Sequence, residues 1–564
     1  MQGAKPFRVP PQVTAENEHF WHGGAQGELR FLCCDACATY VHPPAPLCPA
    51  CLGRALSPRA VSGRATLLTY TMNHQPWIPG FAPPYVIAIV EIAEQPGLRL
   101  TTNLVGCDES QLAIGMPLRV RFEAGADGVY FPLFEPAPPE ASAPAAGDAG
   151  AQAAARPPSA LRAARAAPAA RGERAVAITG IGQSDVGRRL NRDPLALTVD
   201  ACLAAIADAG LTRADIDGVA TYPGMMSGGA GFAGFSGAGV AEVQEALRLD
   251  LDWYHGGSET SGQLGSVITA CAAIAAGYAS HVLCFRTVWE STAQGGGRRQ
   301  GIGGGAGFRA GGFMQWVLPY GAASAANWIA LFARRHMHEF GTTREQLAQI
   351  ALNARKNAAL NPKAIYRDPL TLDEYLAARL ISTPFCLYDC DVPVDGATAF
   401  VISRADRARD LRKPPLLVEA VGAALHGRPS WDQFDDLTTM ALRDAGAQLW
   451  TRTDLRPQDV DVAQLYDGFS FITLAWLEAL GFCGKGESGP FVAGGGRIAL
   501  DGELPLNTNG GQLSGGRLHG YGFLHEACVQ LWGEGGARQV PGARVGVAAA
   551  GGGPIGGCLL IRRA

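Results

Sequence analysis

Apolar positions along the chain fall into two groups with different periods, separated by a stretch in which the pattern disappears. In the first group, "ATLLTYTMN", "YVIAIVEI", "LRLTTNLVG" and "PLRVRFEA" alternate or run continuously in β-branched residues, with Gly and Pro between them. They predict a small β-barrel within residues 1–136, entered by a short helical segment, "VTAENEHFWHGGAQGEL". In the second group, "RAVAITGIGQSDVG" reads as a buried strand running into a glycine turn, "DPLALTVDACLAAIADAG" as an amphipathic helix and "DIDGVATYP" as the next strand. Strand signals recur in "KPPLLVEAVGAALHG" and "RVGVAAAGGGPIGGCLLIRR", so residues 174–564 are expected to form an α/β domain of two related halves. The apolar helix region "WVLPYGAASAANWIALFARRHM" reads as core or dimer packing first and as the lining of an acyl pocket second. Between the groups, from Pro136 to Arg174, Ala, Pro and Arg replace the aromatics and β-branched residues. Such a segment cannot bury enough apolar surface to offset its ordering entropy, so residues 137–173 read as a flexible linker.

A chain of 564 residues exceeds one ordinary domain, and 47% hydrophobic against 17% charged residues suits a compact α/β enzyme. A net charge of -4 without a basic stripe argues against a nucleic-acid partner, because phosphate contacts need clustered Lys and Arg. No apolar run reaches the length of a membrane span and the opening residues lack the apolar core of a secretory signal, so no membrane partner and a cytoplasmic location are expected. In "CCDACATYVHPPAPLCPAC", Cys34 with Cys37 and Cys48 with Cys51 form two C-x-x-C knuckles ten residues apart. Four thiolates at this spacing can close a tetrahedral Zn2+ site with no position open to substrate, which makes the expected role structural. Cys33 reads as a packed thiol.

The ribbon together with "PPYVIAIVEI" and "LAIGMPLRVRF" resembles the small zinc-ribbon plus OB-fold proteins that accompany thiolase-like enzymes of acyl-CoA metabolism, over residues 12 to 136. An OB barrel can also bind single-stranded nucleic acid, but the basic groove and aromatic platforms for that are missing. Residues 175 to 564 resemble the thiolase superfamily in its lipid-transfer-protein-like branch. The pieces that carry the resemblance include "VAITGIGQSDVG", "DCDVPVDGATAFVISRADRARDL", "LYDGFSFITLAWLEALGFCGKGE", "LPLNTNGGQLSGGRLHGYG" and "AAAGGGPIGGCLLI". The resemblance implies an α/β thiolase fold, a CoA thioester as substrate and a homodimer. Function has to be argued from the site.

Every catalytic position of a thiolase has changed. The first cysteine falls on Glu259 or Thr260, and Cys271 lies about three helical turns further on. The second cysteine falls on Ala549, with Cys558 on the following strand. The activating histidine corresponds to Arg517, which stays protonated and cannot act as a base, and the Asn or His of the remaining motif corresponds to Tyr466 in "YDGF". An S-acyl enzyme is thereby closed off. The glycine and asparagine framework is intact at Asn507, Asn509, Gly551 and Gly552, which are candidate substrate-binding positions together with Glu259 and Thr260.

A pocket that still stabilises a thioester enolate can cleave a β-hydroxyacyl-CoA by a retro-aldol reaction, with no nucleophile. Tyr466 is the candidate base, and Arg517 is a cation for its phenolate, a holder of a CoA phosphate or a partner of Asp467. His519 and Tyr521 are second candidates for proton transfer or enolate protonation. The pattern resembles the steroid side-chain-cleaving aldolases, thiolase-fold lyases that work with a separate zinc-ribbon/OB protein. In that family two tyrosines are associated with catalysis; one corresponds to Tyr466 and the other falls on Arg517, where this chain departs from the pattern. The implied activity is cleavage of a β-hydroxyacyl-CoA with a bulky steroid-like or aromatic acyl chain to a ketone or aldehyde plus acetyl-CoA or propionyl-CoA. Competing readings are an acyltransferase with an unrecognised nucleophile and a non-catalytic acyl-CoA or lipid carrier.

Overall fold

The computed structural model describes residues 7–137, 171–223, 234–235, 237–257, 262–295, 308–425 and 430–564. The chain opens with a three-stranded ribbon, β1 (Leu29–Cys34), β2 (Tyr40–Val41) and β3 (Leu56–Val61), in the order β2-β1-β3. Its two cysteine knuckles turn alike. The N–H of Ala38 returns to the carbonyl of Cys34 and that of Leu52 to the carbonyl of Cys48, and Ala38 and Leu52 both take positive φ. The predicted helical entry is realised as a five-residue helix, Glu18–His22, with Phe20 and Trp21 buried, continued by a 3-10 turn over Gly23–Gln26.

The four strand-like runs form β4 (Arg64–Asn73), β5 (Tyr85–Ile92), β6 (Arg99–Leu104) and β7 (Pro117–Ala124), and a fifth strand absent from the sequence reading, β8 (Tyr130–Pro136), completes them. The order β4-β5-β6-β8-β7, with β7 pairing back onto β4, closes a five-stranded barrel. Leu67, Ala88, Val90, Leu118 and Phe134 fill its interior.

The second unit contains a nine-stranded sheet: β9 (Val176–Gln183), β10 (Gly218–Thr221), β11 (Trp253–Gly256), β12 (His281–Trp289), β15 (Asp395–Arg404), β16 (Leu416–Leu425), β17 (Val462–Leu465), β18 (Val545–Gly552) and β19 (Ile555–Arg563). The order is β11-β10-β12-β15-β9-β16-β19-β18-β17, and the two halves are joined by a two-residue contact between β9 and β16. The glycines of "ITGIG" have a steric reason. A Cβ on Gly180 or Gly182 would lie 2.4 or 2.1 Å from a carbonyl of the helix Pro194–Ala209, so only glycine lets that helix settle on β9. The helices Gly265–Ala275 and Tyr521–Trp532 begin close together, with Ser266 Oγ and Tyr521 Oη 2.7 Å apart.

The region 316–337 packs in the core, as its sequence reading put first, and also against the barrel. The helix Ala325–Phe340 places Ile329 and Ala330 in the core of the second unit and turns its other side onto the barrel. Thr69 Oγ1 donates to the Leu331 carbonyl at 2.7 Å, Arg335 Nη1 donates to that of Leu68 at 2.9 Å, and Arg334 lies over the Tyr70 ring. A hairpin, β13 (Leu380–Ser382) and β14 (Phe385–Cys386), extends the barrel sheet through Ser382 opposite Asn73. Trp316 and Tyr320 belong to the barrel's own apolar cluster. Arg8 stitches the same seam, donating to Asn103, Glu123 and the Pro319 carbonyl. Residues 138–170, most of the expected linker, lie outside the described residues.

Candidate active site

The strand β17 delivers Tyr466, Asp467 and Gly468 to the start of the helix Ser470–Ala479. Tyr466 is 7% exposed; its N–H donates to the Ala549 carbonyl, and its ring lies 6.5 Å from the His519 ring and 5.7 Å from that of Phe523. A Cβ on Gly468 would sit 3.0 Å from the Tyr466 hydroxyl, so glycine there leaves the phenol its place.

Arg517 lies close enough to Tyr466 for their charges to interact. It is not paired with Asp467. Its Nε donates to Glu290 Oε2 at 2.9 Å, its Nη2 also reaches Glu290, and its Nη1 donates to Asp391 Oδ2 at 3.2 Å. Burial disfavours its charge, but the two carboxylates outweigh that and raise its pKa further. Its partners are Glu290 and Asp391 in place of the expected Asp467, and its charge still reaches Tyr466.

Asp467 is fully buried. Its Oδ1 accepts the Gln512 N–H at 2.7 Å, and it approaches Gly511 so closely that a Cβ there would lie 1.9 Å from Oδ2. Burial pushes its carboxyl up to about 7, with the Asp391 charge adding to the rise. A folded pKa above the unfolded value of about 3.9 gives stability that is complete below pH 4 and lost as pH rises through 7. Over that span the loss is on the order of 4 kcal/mol, at about 1.4 kcal/mol per pH unit. The difference in unfolding free energy between wild type and Asp467→Asn should therefore swing toward the variant from pH 4 to pH 8. A pH-independent difference would mean that Asp467 titrates as an ordinary carboxylate.

The remaining candidates have other placements. The Tyr521 hydroxyl meets Ser266 Oγ inside the helix layer and its ring packs on Phe400, with burial holding the phenol well above its ordinary range. The Asn507 amide clamps Leu465 on both sides, accepting its N–H and donating to its carbonyl, and Asn509 accepts the Gly511 N–H. Both asparagines shape the backbone around the site, and Asn509 also lines the cavity behind it. Gly551 takes φ +116 and lies against Gly262: a Cβ on Gly551 would be 3.4 Å from Gly262 Cα, and one on Gly262 would be 2.4 Å from the Ala550 carbonyl. Gly552 ends β18 opposite Ile555. Glu259 and Thr260 lie outside the described residues, as do most of the two glycine-rich stretches around 228–239 and 295–308. Of the two cysteines nearest the vacated positions, Cys271 is buried in mid-helix, and Cys558 Sγ contacts the Ala445 carbonyl.

The structure also brings in groups that motif reading missed. Glu290 and Asp391 hold Arg517, while Tyr222, from the end of β10, meets His519. Arg286 stacks over the Tyr222 ring at 4.8 Å. An arginine in the otherwise apolar run "HVLCFRTVW" is the one sequence signal that points to them. A cavity of about 510 Å³ lies behind the same turn, lined by Gln512, Leu518, Phe523 and Lys363, but Tyr466, Arg517 and His519 do not line it.

In the ribbon, Sγ of Cys34, Cys37, Cys48 and Cys51 all lie within 4.8 Å of one another, with 3.5 Å between Cys34 and Cys51 and 3.6 Å between Cys37 and Cys48. A tetrahedron with metal–sulfur bonds of about 2.3 Å has edges of roughly 3.8 Å, so the four thiols fit a tetrahedral metal. No helix among the described residues is long and apolar enough to cross a membrane.

Comparison with known proteins matches three stretches of the chain. Residues 21–57 match the ChsH2 rubredoxin-like zinc ribbon domain, residues 58–123 the ChsH2 C-terminal OB-fold domain, and residues 423–557 the thiolase C-terminal domain-like family. The steroid side-chain-cleaving aldolase of Thermomonospora curvata is 37% identical over 63% of this chain and 89% of its own length. The 17-hydroxy-3-oxo-4-pregnene-20-carboxyl-CoA lyase of Mycobacterium tuberculosis is 36% identical over 63% and 91%. Among solved structures, an Ltp2-ChsH2(DUF35) aldolase superposes with TM-score 0.61 at 32% identity, covering 69% of this chain and 98% of that one. With its thiol positions vacated, a tyrosine beside the buried arginine and nine-tenths of these relatives covered, the chain belongs to the steroid side-chain-cleaving aldolases, carbon–carbon lyases of the thiolase superfamily.

Proposed function

We propose that this aldolase cleaves a β-hydroxyacyl-CoA bearing a bulky steroid-like acyl chain, and that Tyr466 and His519 handle the protons. A base removes the β-hydroxyl proton, the Cα–Cβ bond breaks to release a ketone or aldehyde, and the electron pair passes to the thioester as an enolate. A proton returned to Cα then completes acetyl-CoA or propionyl-CoA. The observation that carries this reading is the pairing of the Tyr466 and His519 rings at the end of β17, with Cys271 buried in mid-helix and Cys558 turned to the Ala445 carbonyl. Arg517, held by Glu290 and Asp391, fixes the turn that presents His519. The backbone at Gly262 and Gly551 is the proposed approach for the thioester oxygen, because only glycines fit there. The substrate class follows from the names of the relatives. Purified protein incubated with a panel of β-hydroxyacyl-CoAs should release a carbonyl compound and a short acyl-CoA in equal amounts. A stable acyl-enzyme adduct by mass spectrometry would favour acyl transfer instead, and binding without turnover a carrier.

We also propose that residues 1–136 and 174–564 act as one catalytic body joined by residues 137–173, with the linker raising the effective concentration of one part at the other. Dimerisation through the exposed edge strand β11, which carries Tyr254, suits this fold. Cys34, Cys37, Cys48 and Cys51 are the ligands for a structural Zn2+, which would cross-link the two knuckles. Metal analysis should find about one zinc per chain, and Cys34→Ser/Cys48→Ser should lose it together with the ribbon's resistance to proteolysis. A folded double variant with full zinc content would remove the site.

A further inference from the structure

His519 is held unusually. It is 5% exposed, and its φ of +51 puts a non-glycine residue in the left-handed region, which only a surrounding structure that over-determines it can maintain. Its N–H donates to Gln512 Oε1 at 3.0 Å. Its carbonyl and its imidazole are both met by one hydroxyl, that of Tyr222: the Tyr222 hydroxyl donates to the His519 carbonyl, and its oxygen lies 3.1 Å from Nδ1. A carbonyl can only accept, so the phenol's one proton is directed there. The phenol oxygen is then the acceptor for Nδ1, which has to carry a hydrogen, and the imidazole lone pair is left on Nε2.

Beneath the Tyr222 ring lies Arg286, on β12. It is 2% exposed, with its guanidinium carbon 4.8 Å from the Tyr222 centroid and 4.9 Å from that of Phe235. Nη1 donates to the Thr287 carbonyl, whereas Nε and Nη2 find no acceptor. Where Arg517 has two carboxylates, Arg286 has none among the described residues. A buried guanidinium without a counter-charge is costly and has no structural advantage over an apolar side chain of the same size.

We propose that Tyr222 and Arg286 are positioning residues that hold His519 as a neutral imidazole, protonated on Nδ1, so that Nε2 is a proton acceptor of the active site. The inference rests on the aldolase reading above. Among the described residues, the groups facing His519 are Arg286 from β12, Tyr222 from β10, Tyr466 from the end of β17, and Arg517 on its own turn with Glu290 and Asp391 behind it. Burial first, then the charges of Arg286 and Arg517, keep its pKa well below 6.5. The sign follows: protonation would remove the Nε2 lone pair, so wild-type activity should persist below pH 6.5. Removing the Arg286 charge should raise the His519 pKa and shift the acid limb of the rate profile upward.

The test compares pH profiles of kcat and KM for a β-hydroxyacyl-CoA that the wild type cleaves, using Tyr222→Phe, Arg286→Met and Arg286→Lys. Tyr222→Phe should lower kcat by about tenfold or more with KM little changed. Arg286→Met should move the acid limb up by about one pH unit, and Arg286→Lys should restore it. Wild-type profiles in both Tyr222→Phe and Arg286→Met would overturn the proposal. Should Arg286→Met fail to fold, 15N spectra of the histidine-labelled wild type, with His519 assigned by its loss in His519→Gln, decide the matter. A signal protonated on Nδ1 supports the proposal, and one protonated on Nε2 overturns it. A wild type that cleaves no member of the panel sinks the aldolase reading but leaves this tautomer measurement intact.

Discussion

Tyr466→Phe is expected to lower kcat by about 10²- to 10⁴-fold, the range lost when a positioned proton-transfer group is removed. KM, zinc content and thermal midpoint should stay near wild type. The ring is held by packing on Phe523 and by the backbone bond to Ala549, both of which phenylalanine keeps. Only the hydroxyl is lost, and it lies where Gly468 leaves room for it. The charge state of the neighbourhood bears on how that hydroxyl works. Glu290 and Asp391 draw on the Arg517 charge and so weaken its pull on a phenolate, and in the proposed mechanism the phenol and the imidazole of His519 share the proton between them. Steady-state rates for carbonyl release, measured beside circular dichroism, check the expectation. Full activity in Tyr466→Phe would remove Tyr466 from proton transfer and leave His519 as the base.

Trp316→Ala should have the largest effect on stability, a loss of about 3–5 kcal/mol, typical of emptying a buried tryptophan site. Trp316 is 5% exposed and comes from the thiolase-like unit, yet its neighbours belong to the ribbon and barrel: Trp21 stacks on it at 5.3 Å, Phe20 meets it at 5.2 Å and His42 at 4.7 Å. His42 lies between the two cysteine knuckles, so loosening Trp316 should also loosen the metal site. Three readouts should move together: a lower urea midpoint, faster zinc capture by a chromogenic chelator, and new proteolytic cleavage between the units. If chelator kinetics stay at the wild-type rate while stability falls, the ribbon does not depend on this anchor.

Some features were local enough to read without the fold. The C-x-x-C pairs carry their own geometry, because each knuckle is closed within five residues, and the alternating or β-branched runs of β4 to β7 announce strands whatever they pack against. The run Tyr130–Pro136 was missed because two prolines and a glutamate in "YFPLFEP" break the strand pattern; pairing with β7 overrides this. Tyr466 was legible because it occupies a motif position on the chain.

What the linear sequence determined by itself, then, is which chemistry is absent and which units are present: no cysteine at either nucleophile position, a tyrosine and an arginine where acyl transfer needs other residues, a metal ribbon, a barrel and an α/β unit. These follow from residue identity and short-range spacing. The tertiary structure decided the charge balance. Glu290, Asp391 and Tyr222 lie between 126 and 297 residues from their partners at the site, and folding alone brings them there. Electrostatic interaction depends on distance in space and on burial, not on separation along the chain. The same physics set Arg517 between two carboxylates, left Arg286 with no carboxylate partner among the described residues, and placed Trp316 against the ribbon and barrel.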